Sequence, residues 1–197
     1  WIIRDPAGNP EIGSVTCDSR KVSGGSLFFA IKGMVTDGLK FVPEALARGA
    51  AAVVSEEPPP AACPVPWIQV IAVRRVMASC SNRLLDYPSR RIRMTGITGT
   101  NGKTTVAHIL DSILSLEGPS LLLGTVRTKI GSTLEKAGLT TPESVDLHRL
   151  LDRAVRMGVG HGVMEVSSHS LAFDRVFGID FPTAVFTNLT ADHLDFH

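Results

Sequence analysis

The run Thr95-Gly96-Ile97-Thr98-Gly99-Thr100-Asn101-Gly102-Lys103-Thr104-Thr105 constrains the fold of this chain more than any other stretch. The apolar residues from Ile92 to Ile97 predict a buried strand, and glycines at 96, 99 and 102 predict a tight turn after it. Val106, Ile109, Leu110, Ile113 and Leu114 then recur at helical spacing, which predicts a helix with one apolar face. A strand, a glycine-rich turn and a helix start together gather free backbone N–H groups at the positive end of a helix dipole. Such a cradle suits phosphate oxygens. Lys103 can reach outer phosphates and the Thr104 hydroxyl can hold a Mg²⁺ ion. The general phosphate-loop pattern has glycine where this chain has Ile97, so the turn is tighter. An ordinary strand-turn-helix junction is the plainer alternative, and Gly-Lys-Thr-Thr opening a helix argues against it.

Strand and helix patterns alternate regularly on the C-terminal side of that run. Strands are expected at Ile92–Ile97, Leu121–Val126, Gly162–Val166 and Thr183–Leu189, with helices between, the signature of parallel βαβ units. Near 147–155, Leu147, Leu150, Leu151, Ala154 and Val155 share a face, with Thr141 as the expected N-cap and Pro142 in the first turn. Residues 1–89 read as a separate, smaller α/β unit, with residues 90–197 as the second. The smaller unit has strands at Leu27–Ile31, Ala50–Ser55 and Trp67–Ala72, and helices at Val42–Arg48 and Val73–Leu85. In the last of these, Val76, Met77, Cys80 and Leu84 are expected to face inward. Tyr87-Pro88-Ser89-Arg90-Arg91 is the expected boundary.

Ligands in parallel sheets sit at the carboxyl ends of strands. Glu165 is expected at one such end, where a carboxylate beside a phosphate loop can bind Mg²⁺ directly or through water. Without that loop, a carboxylate satisfied by local amides would be the better reading. Another end carries Thr187-Asn188-Leu189-Thr190 and runs into His193 and His197, four residues apart, a spacing also used by zinc sites. No third nitrogen or sulfur ligand lies nearby in sequence, so zinc and a solvated polar surface both stay open. The third end, Leu139-Thr140-Thr141-Pro142-Glu143, taken alone is a capped helix start.

Composition narrows the classes of function. At 197 residues, 44% hydrophobic and 20% charged, the chain has the make-up of a globular protein with room for more than one core. A net charge of +1 and the lack of a long Lys/Arg block give no reason to expect nucleic acid. Cys17, Cys63 and Cys80 are widely spaced and odd in number, as reduced cytosolic thiols are. No apolar run approaches the ~20 residues of a membrane span, so no membrane association is expected. The chain starts at Trp1 and stops at His197 within a polar motif, so a fragment is expected.

Taken together, Asp18-Ser19-Arg20, Gly99 to Thr105, Thr140-Thr141-Pro142, Glu165 to His169 and Asn188 to Asp195 resemble the Mur ligase family of bacterial peptidoglycan synthesis, in family order. The resemblance covers essentially the whole chain. It points to the branch that adds the third residue of the stem peptide. Related folylpolyglutamate synthases read Gly-Lys-Gly-Ser where this chain has Gly102-Lys103-Thr104-Thr105. The resemblance implies a small α/β substrate-binding domain, followed by the first part of a parallel-sheet phosphate-loop ATPase domain. It implies ATP and Mg²⁺ as cofactors, and a UDP-N-acetylmuramoyl dipeptide and a free amino acid as substrates. The implied enzyme is a cytoplasmic monomer.

The same resemblance implies roles residue by residue. Gly99, Thr100, Asn101, Gly102, Lys103, Thr104 and Thr105 would hold the ATP phosphates, with Lys103 stabilising charge on the transferred group. Thr104 and Glu165 would hold one Mg²⁺ and His193 would serve a second. Ser19, Met34, Val35 and Thr36 would grip the uridine end. Thr140, Thr141, Ser167 and Arg175 would contact the muramoyl-peptide portion. Phe173 and Leu139 stand where some members carry glutamine and asparagine, and Met34 and Val35 replace more polar residues. A carbamylated lysine of the family would fall after His197, so the 197 residues alone are expected not to complete the reaction. Two other readings stay open on the residues: a phosphate-loop NTPase or kinase of another class, and a non-catalytic nucleotide-sugar-binding module.

Overall fold

The computed structural model describes residues 2–4, 8–33, 36–138 and 140–191, which form two compact units dividing between Leu84 and Leu85. The first unit contains β1 (Ile2–Arg4), β2 (Ser14–Thr16), β3 (Ser26–Ala30), α1 (Val42–Ala47), β4 (Ala50–Ser55), β5 (Trp67–Val70) and α2 (Val73–Leu84). Its sheet runs β1-β5-β4-β3-β2, with β2 to β5 parallel and β1 antiparallel at one edge. β3 is buried at all five positions, so it reads as a continuous apolar run rather than an alternation. Phe28, Val53 and Trp67 pack with Val42 and Ala45 of α1. The Trp67 indole donates to Glu57 O at 2.9 Å, which satisfies its one polar atom.

The face of α2 differs from the expected one. Val73, Met77, Ala78, Ser81 and Asn82 are its buried residues, whereas Leu84 is 42% exposed. Small polar Ser81 can be buried because its hydroxyl donates to Met77 O one turn back, at 2.8 Å.

The second unit contains β6 (Arg93–Thr98), α3 (Lys103–Leu114), β7 (Ser120–Leu123), β8 (Arg127–Ile130), β9 (Thr133–Lys136), α4 (Ser144–Arg156), β10 (His161–Glu165), α5 (Ser168–Ala172) and β11 (Thr183–Phe186). The sheet order is β11-β6-β10-β7-β8-β9. β11, β6, β10 and β7 are parallel, and β8 and β9 form an antiparallel hairpin at the end. Leu121, Leu123, Met94 and Met164 meet Leu147, Leu151 and Ala154 of α4 on one face. Ile97, Leu122 and Val163 meet Ala107 of α3 on the other. The Tyr87–Arg91 stretch belongs to this unit, and a short 3-10 turn at Pro88–Arg91 packs against α4.

Three local expectations change here. The β8–β9 hairpin stands where the sequence suggested only helix between strands, so the sheet is mixed. On α3, Ile109 and Ile113 are each 55% exposed, while Ala107 and Asp111 are buried. Asp111 can sit inside because Lys129 Nζ pairs with it at 2.7 Å and Ser120 Oγ donates to it at 2.7 Å. The N-cap of α4 is Glu143, without a side-chain capping bond, and not Thr141. The Thr141 hydroxyl is engaged elsewhere, by the carbonyl at the tip of β10.

Candidate functional site

β6 delivers the chain into the glycine-rich turn, and the turn delivers it into α3. Gly99 has φ +128° and Gly102, the N-cap of α3, has φ +83°, both left-handed. A Cβ on Gly99 would come within 2.2 Å of Thr187 Oγ1 and 2.8 Å of Asn188 O, so only glycine fits. Those two neighbours belong to the chain leaving β11, which braces the turn. Asn101 N–H donates to Asn188 Oδ1 at 3.0 Å, and Thr187 Oγ1 donates to Asn101 O at 2.7 Å. Thr190 N–H donates to Thr100 Oγ1 at 3.0 Å. Thr105 lies exposed in the first turn of the helix.

Lys103 folds its ammonium over this turn, donating to Gly99 O at 2.6 Å and Thr100 O at 2.9 Å. No carboxylate pairs with it among the described residues. An open cleft of about 280 Å³ lies in front. Thr98, Gly99, Thr100 and Lys103 line one side, with Ser167, Ser168, Leu171 and Phe186 among the residues opposite.

Glu165 stands at the tip of β10, 1% exposed. Thr104 Oγ1 donates to its Oε2 at 2.8 Å. Thr125 donates twice, from N–H to Oε1 at 2.9 Å and from Oγ1 to Oε2 at 3.1 Å. All these donors are neutral, and no lysine or arginine among the described residues neutralises the carboxylate. A buried carboxylate served only by neutral donors, beside a hydroxyl at a helix start, fits a hard divalent cation that prefers oxygen ligands. Thr104 and Glu165 are the described residues that could hold Mg²⁺. Among the described residues no group of three or more His, Cys, Asp or Glu side chains is placed to hold a metal. His193 and His197 lie outside the described residues, as do Met34, Val35 and Leu139.

The expected substrate-side residues of this unit gather around the same strand tip. Thr141 Oγ1 donates to Glu165 O at 2.9 Å and is itself 1% exposed. Thr140 Oγ1 lies 3.2 Å from Thr125 Oγ1. Ser167 caps α5, accepting from Ser170 N–H at 3.2 Å. Arg175 approaches Glu143 at 2.9 Å, donates to Thr141 O at 3.2 Å and lies 5.7 Å from the Phe173 ring centroid. The Glu143 contact lies off the direction of the Arg175 Nε–H, so it is charge pairing rather than an aligned hydrogen bond.

Ser19 lies in the first unit, in a separate hollow lined by Cys17, Asp18, Arg20, Phe41 and Glu44. Its hydroxyl donates to Glu44 Oε2 at 2.7 Å, which holds the Glu44 carboxyl below its usual range. The Arg20 guanidinium does the same to Asp18. Thr36 closes a turn by accepting from Gly33 N–H at 2.9 Å.

Residues 97–197 match the model of the Mur ligase middle domain, and residues 11–84 match that of the Mur ligase family catalytic domain. The chain belongs to the Mur ligase family. Among relatives of this Mur ligase chain is a protein of Solibacter usitatus named UDP-N-acetylmuramoyl-L-alanyl-D-glutamate--2,6-diaminopimelate ligase. It is 47% identical over 188 residues, covering 95% of this chain and 38% of that protein. A protein of the same name from Geobacillus thermodenitrificans is 46% identical, covering 100% of this chain and 40% of its own length. A solved structure titled with that enzyme name superposes with a TM-score of 0.82 at 31% identity, covering 94% of this chain and 38% of that one. This Mur ligase chain thus spans about two fifths of the length of the relatives it matches.

Sequence reasoning missed two parts of the site. Thr125 carried no motif, because a bend after a strand has no characteristic composition. The bracing by Thr187 and Asn188 was missed because pairing between β11 and β6 crosses nearly the whole unit. The glycine at position 99 was the available signal: an obligatory glycine implies a close neighbour.

Proposed function

We propose that this chain is the N-terminal portion of an ATP-dependent amide ligase of peptidoglycan synthesis. It would join 2,6-diaminopimelate to UDP-N-acetylmuramoyl-L-alanyl-D-glutamate in the cytoplasm. The observation that carries this reading is a lysine, Lys103, and a buried carboxylate, Glu165, neither with a counter-charge among the described residues, joined through Thr104 at a glycine-rich turn. The names of the relatives support the substrate. Amide formation in water requires the acceptor carboxylate to be activated, here as an acyl phosphate that the incoming amine attacks with loss of phosphate.

The work of the protein in such a reaction is positioning and charge neutralisation. Backbone N–H groups of the turn and helix start from Gly99 to Thr105, apart from those of Thr100 and Asn101, which Asn188 takes, would hold the phosphates of ATP. Lys103 would exchange its two carbonyl partners for phosphate oxygens of the transferred group. Thr104 and Glu165 would hold Mg²⁺, which when bound draws charge off the phosphates; His193 would serve a second ion. Thr140, Thr141, Ser167 and Arg175 would orient the muramoyl-peptide carboxylate. Ser19 and the turn Met34-Val35-Thr36 would hold the uridine end, giving residues 1–89 the substrate role and residues 90–197 the ATP role.

The test is phosphate release by the full-length parent enzyme. Release that requires both the UDP-muramoyl dipeptide and diaminopimelate is the expected result. Release independent of the amino acid would favour an NTPase or kinase. Binding of the sugar nucleotide by a parent that binds no ATP would favour a non-catalytic module.

A further inference from the structure

We propose that Thr125 is the positioning residue of the metal side of this site, aiming the Glu165 carboxylate at Thr104. The inference rests on the phosphate-loop reading above and names a residue that reading does not use. β7 and β10 run parallel with Leu123 opposite Met164, so the residues just past β7 come level with Glu165. Gly124 leaves room there: a Cβ on it would lie 2.3 Å from Glu165 Oε1. The carboxylate therefore rests over a glycine, and the next residue grips both of its oxygens.

That grip is two-pronged. Thr125 N–H takes Oε1 at 2.9 Å and Thr125 Oγ1 takes Oε2 at 3.1 Å, which fixes the plane of the carboxylate as well as its position. The Thr125 hydroxyl has one proton and two neighbours, Glu165 Oε2 and Thr140 Oγ1 at 3.2 Å. A carboxylate is a stronger acceptor than a hydroxyl, so the Thr125 proton goes to Glu165 rather than to Thr140. An ionised carboxylate offers about four acceptor sites. Thr125 and Thr104 occupy three, and one remains for a cation. Thr104 and Glu165 would hold that cation, and the two hydrogen bonds from Thr125 would keep the carboxylate in place. Thr125 itself is exposed, so packing gives no reason for a threonine at this position.

The experiment measures Mn²⁺ affinity by electron paramagnetic resonance on the 197-residue chain saturated with ADP. Wild type is compared with Thr125→Val, which keeps shape and N–H but loses the hydroxyl, and with Thr125→Ser. Removing a hydrogen bond to a metal-ligating carboxylate typically costs about 10-fold to 100-fold in metal affinity. Thr125→Val is expected to bind Mn²⁺ about 10-fold more weakly, and Thr125→Ser to restore wild-type affinity. ADP affinity without metal is expected to stay unchanged in both. Equal Mn²⁺ affinity in Thr125→Val and wild type would overturn the proposal. So would failure of Thr125→Ser to restore it, or an equal loss of metal-free ADP binding. A wild-type chain that takes no ADP would overturn the phosphate-loop reading itself, and is seen before any substitution is made.

Discussion

The Thr104 hydroxyl donates to Glu165 Oε2 across 2.8 Å, joining residues 61 apart in sequence and tying the first turn of α3 to the tip of β10. The described groups around the phosphate turn are arranged about that contact. Lys103 precedes Thr104, Thr125 grips the same carboxylate, and Thr141 grips the backbone of the same glutamate.

Lys103→Ala in the parent enzyme is expected to abolish turnover while leaving the fold intact. The ammonium makes two hydrogen bonds to loop carbonyls, and its net contribution to stability is about 1–3 kcal/mol. Phosphate release and a melting curve on the same preparation check both halves; unimpaired release would remove Lys103 from the chemistry.

Gly99→Ala and Gly102→Ala are expected to behave differently although both glycines are left-handed. At Gly99 the new methyl meets Thr187 Oγ1 and Asn188, so the brace from β11 must break and nucleotide binding should be lost. At Gly102 nothing lies within 4 Å of the methyl, so only the backbone cost applies, about 1–2 kcal/mol. Calorimetric titration with ADP separates them, and equal losses at both positions would contradict the brace.

Stability is expected to fall with acid through His148. This side chain is fully buried in α4 with neither ring nitrogen hydrogen-bonded, and burial pushes its pKa down to about 4. The unfolded imidazole titrates near its ordinary 6.5, so the unfolded state binds the extra proton between the two values. The contribution is whole above pH 6.5 and is lost as pH falls towards 4, up to about 3 kcal/mol. Urea unfolding at pH 7 and pH 4.5 measures it, and His148→Leu should remove most of the difference. An unchanged pH dependence in that variant would assign the effect elsewhere.

The Asp111–Lys129 pair is expected to anchor the β8–β9 hairpin to α3. Lys129 Nζ bonds both Asp111 Oδ2 and Ser115 Oγ at 2.7 Å, and Asp111 is 6% exposed. Lys129→Met leaves that carboxylate unpaired and should cost about 3 kcal/mol. A double-mutant cycle with Asp111→Asn should give a coupling of about 1–3 kcal/mol. Additive effects would show that the pair carries no stability of its own.

The turn at the centre of the site was legible because glycine, lysine and hydroxyl residues at a strand-helix junction leave few alternatives. Glu165 was legible for the related reason that strand tips are where parallel sheets place their chemistry. The β8–β9 hairpin was not, although Gly131-Ser132 between two short alternating segments is a two-residue turn signal. Each four-residue strand carries a single apolar residue, Ile130 or Leu134, among lysine, arginine, threonine and glutamate, so neither has the apolar content that marked the others. The face of α3 was misread for an electrostatic reason. A count of apolar residues places Ile109 and Ile113 inside, and cannot foresee that Lys129 lets Asp111 take that position. Thr141 looked like a cap because its partner, the carbonyl of Glu165, is distant in sequence.

The most direct measurement is a crystal structure of the chain with magnesium and a non-hydrolysable ATP analogue. Phosphate oxygens are expected against the N–H groups of residues 102–105, with Lys103 Nζ drawn off Gly99 O and Thr100 O. A metal ion is expected between the Thr104 hydroxyl and Glu165. A nucleotide bound elsewhere, with Lys103 still folded over the turn, would contradict the phosphate-loop reading.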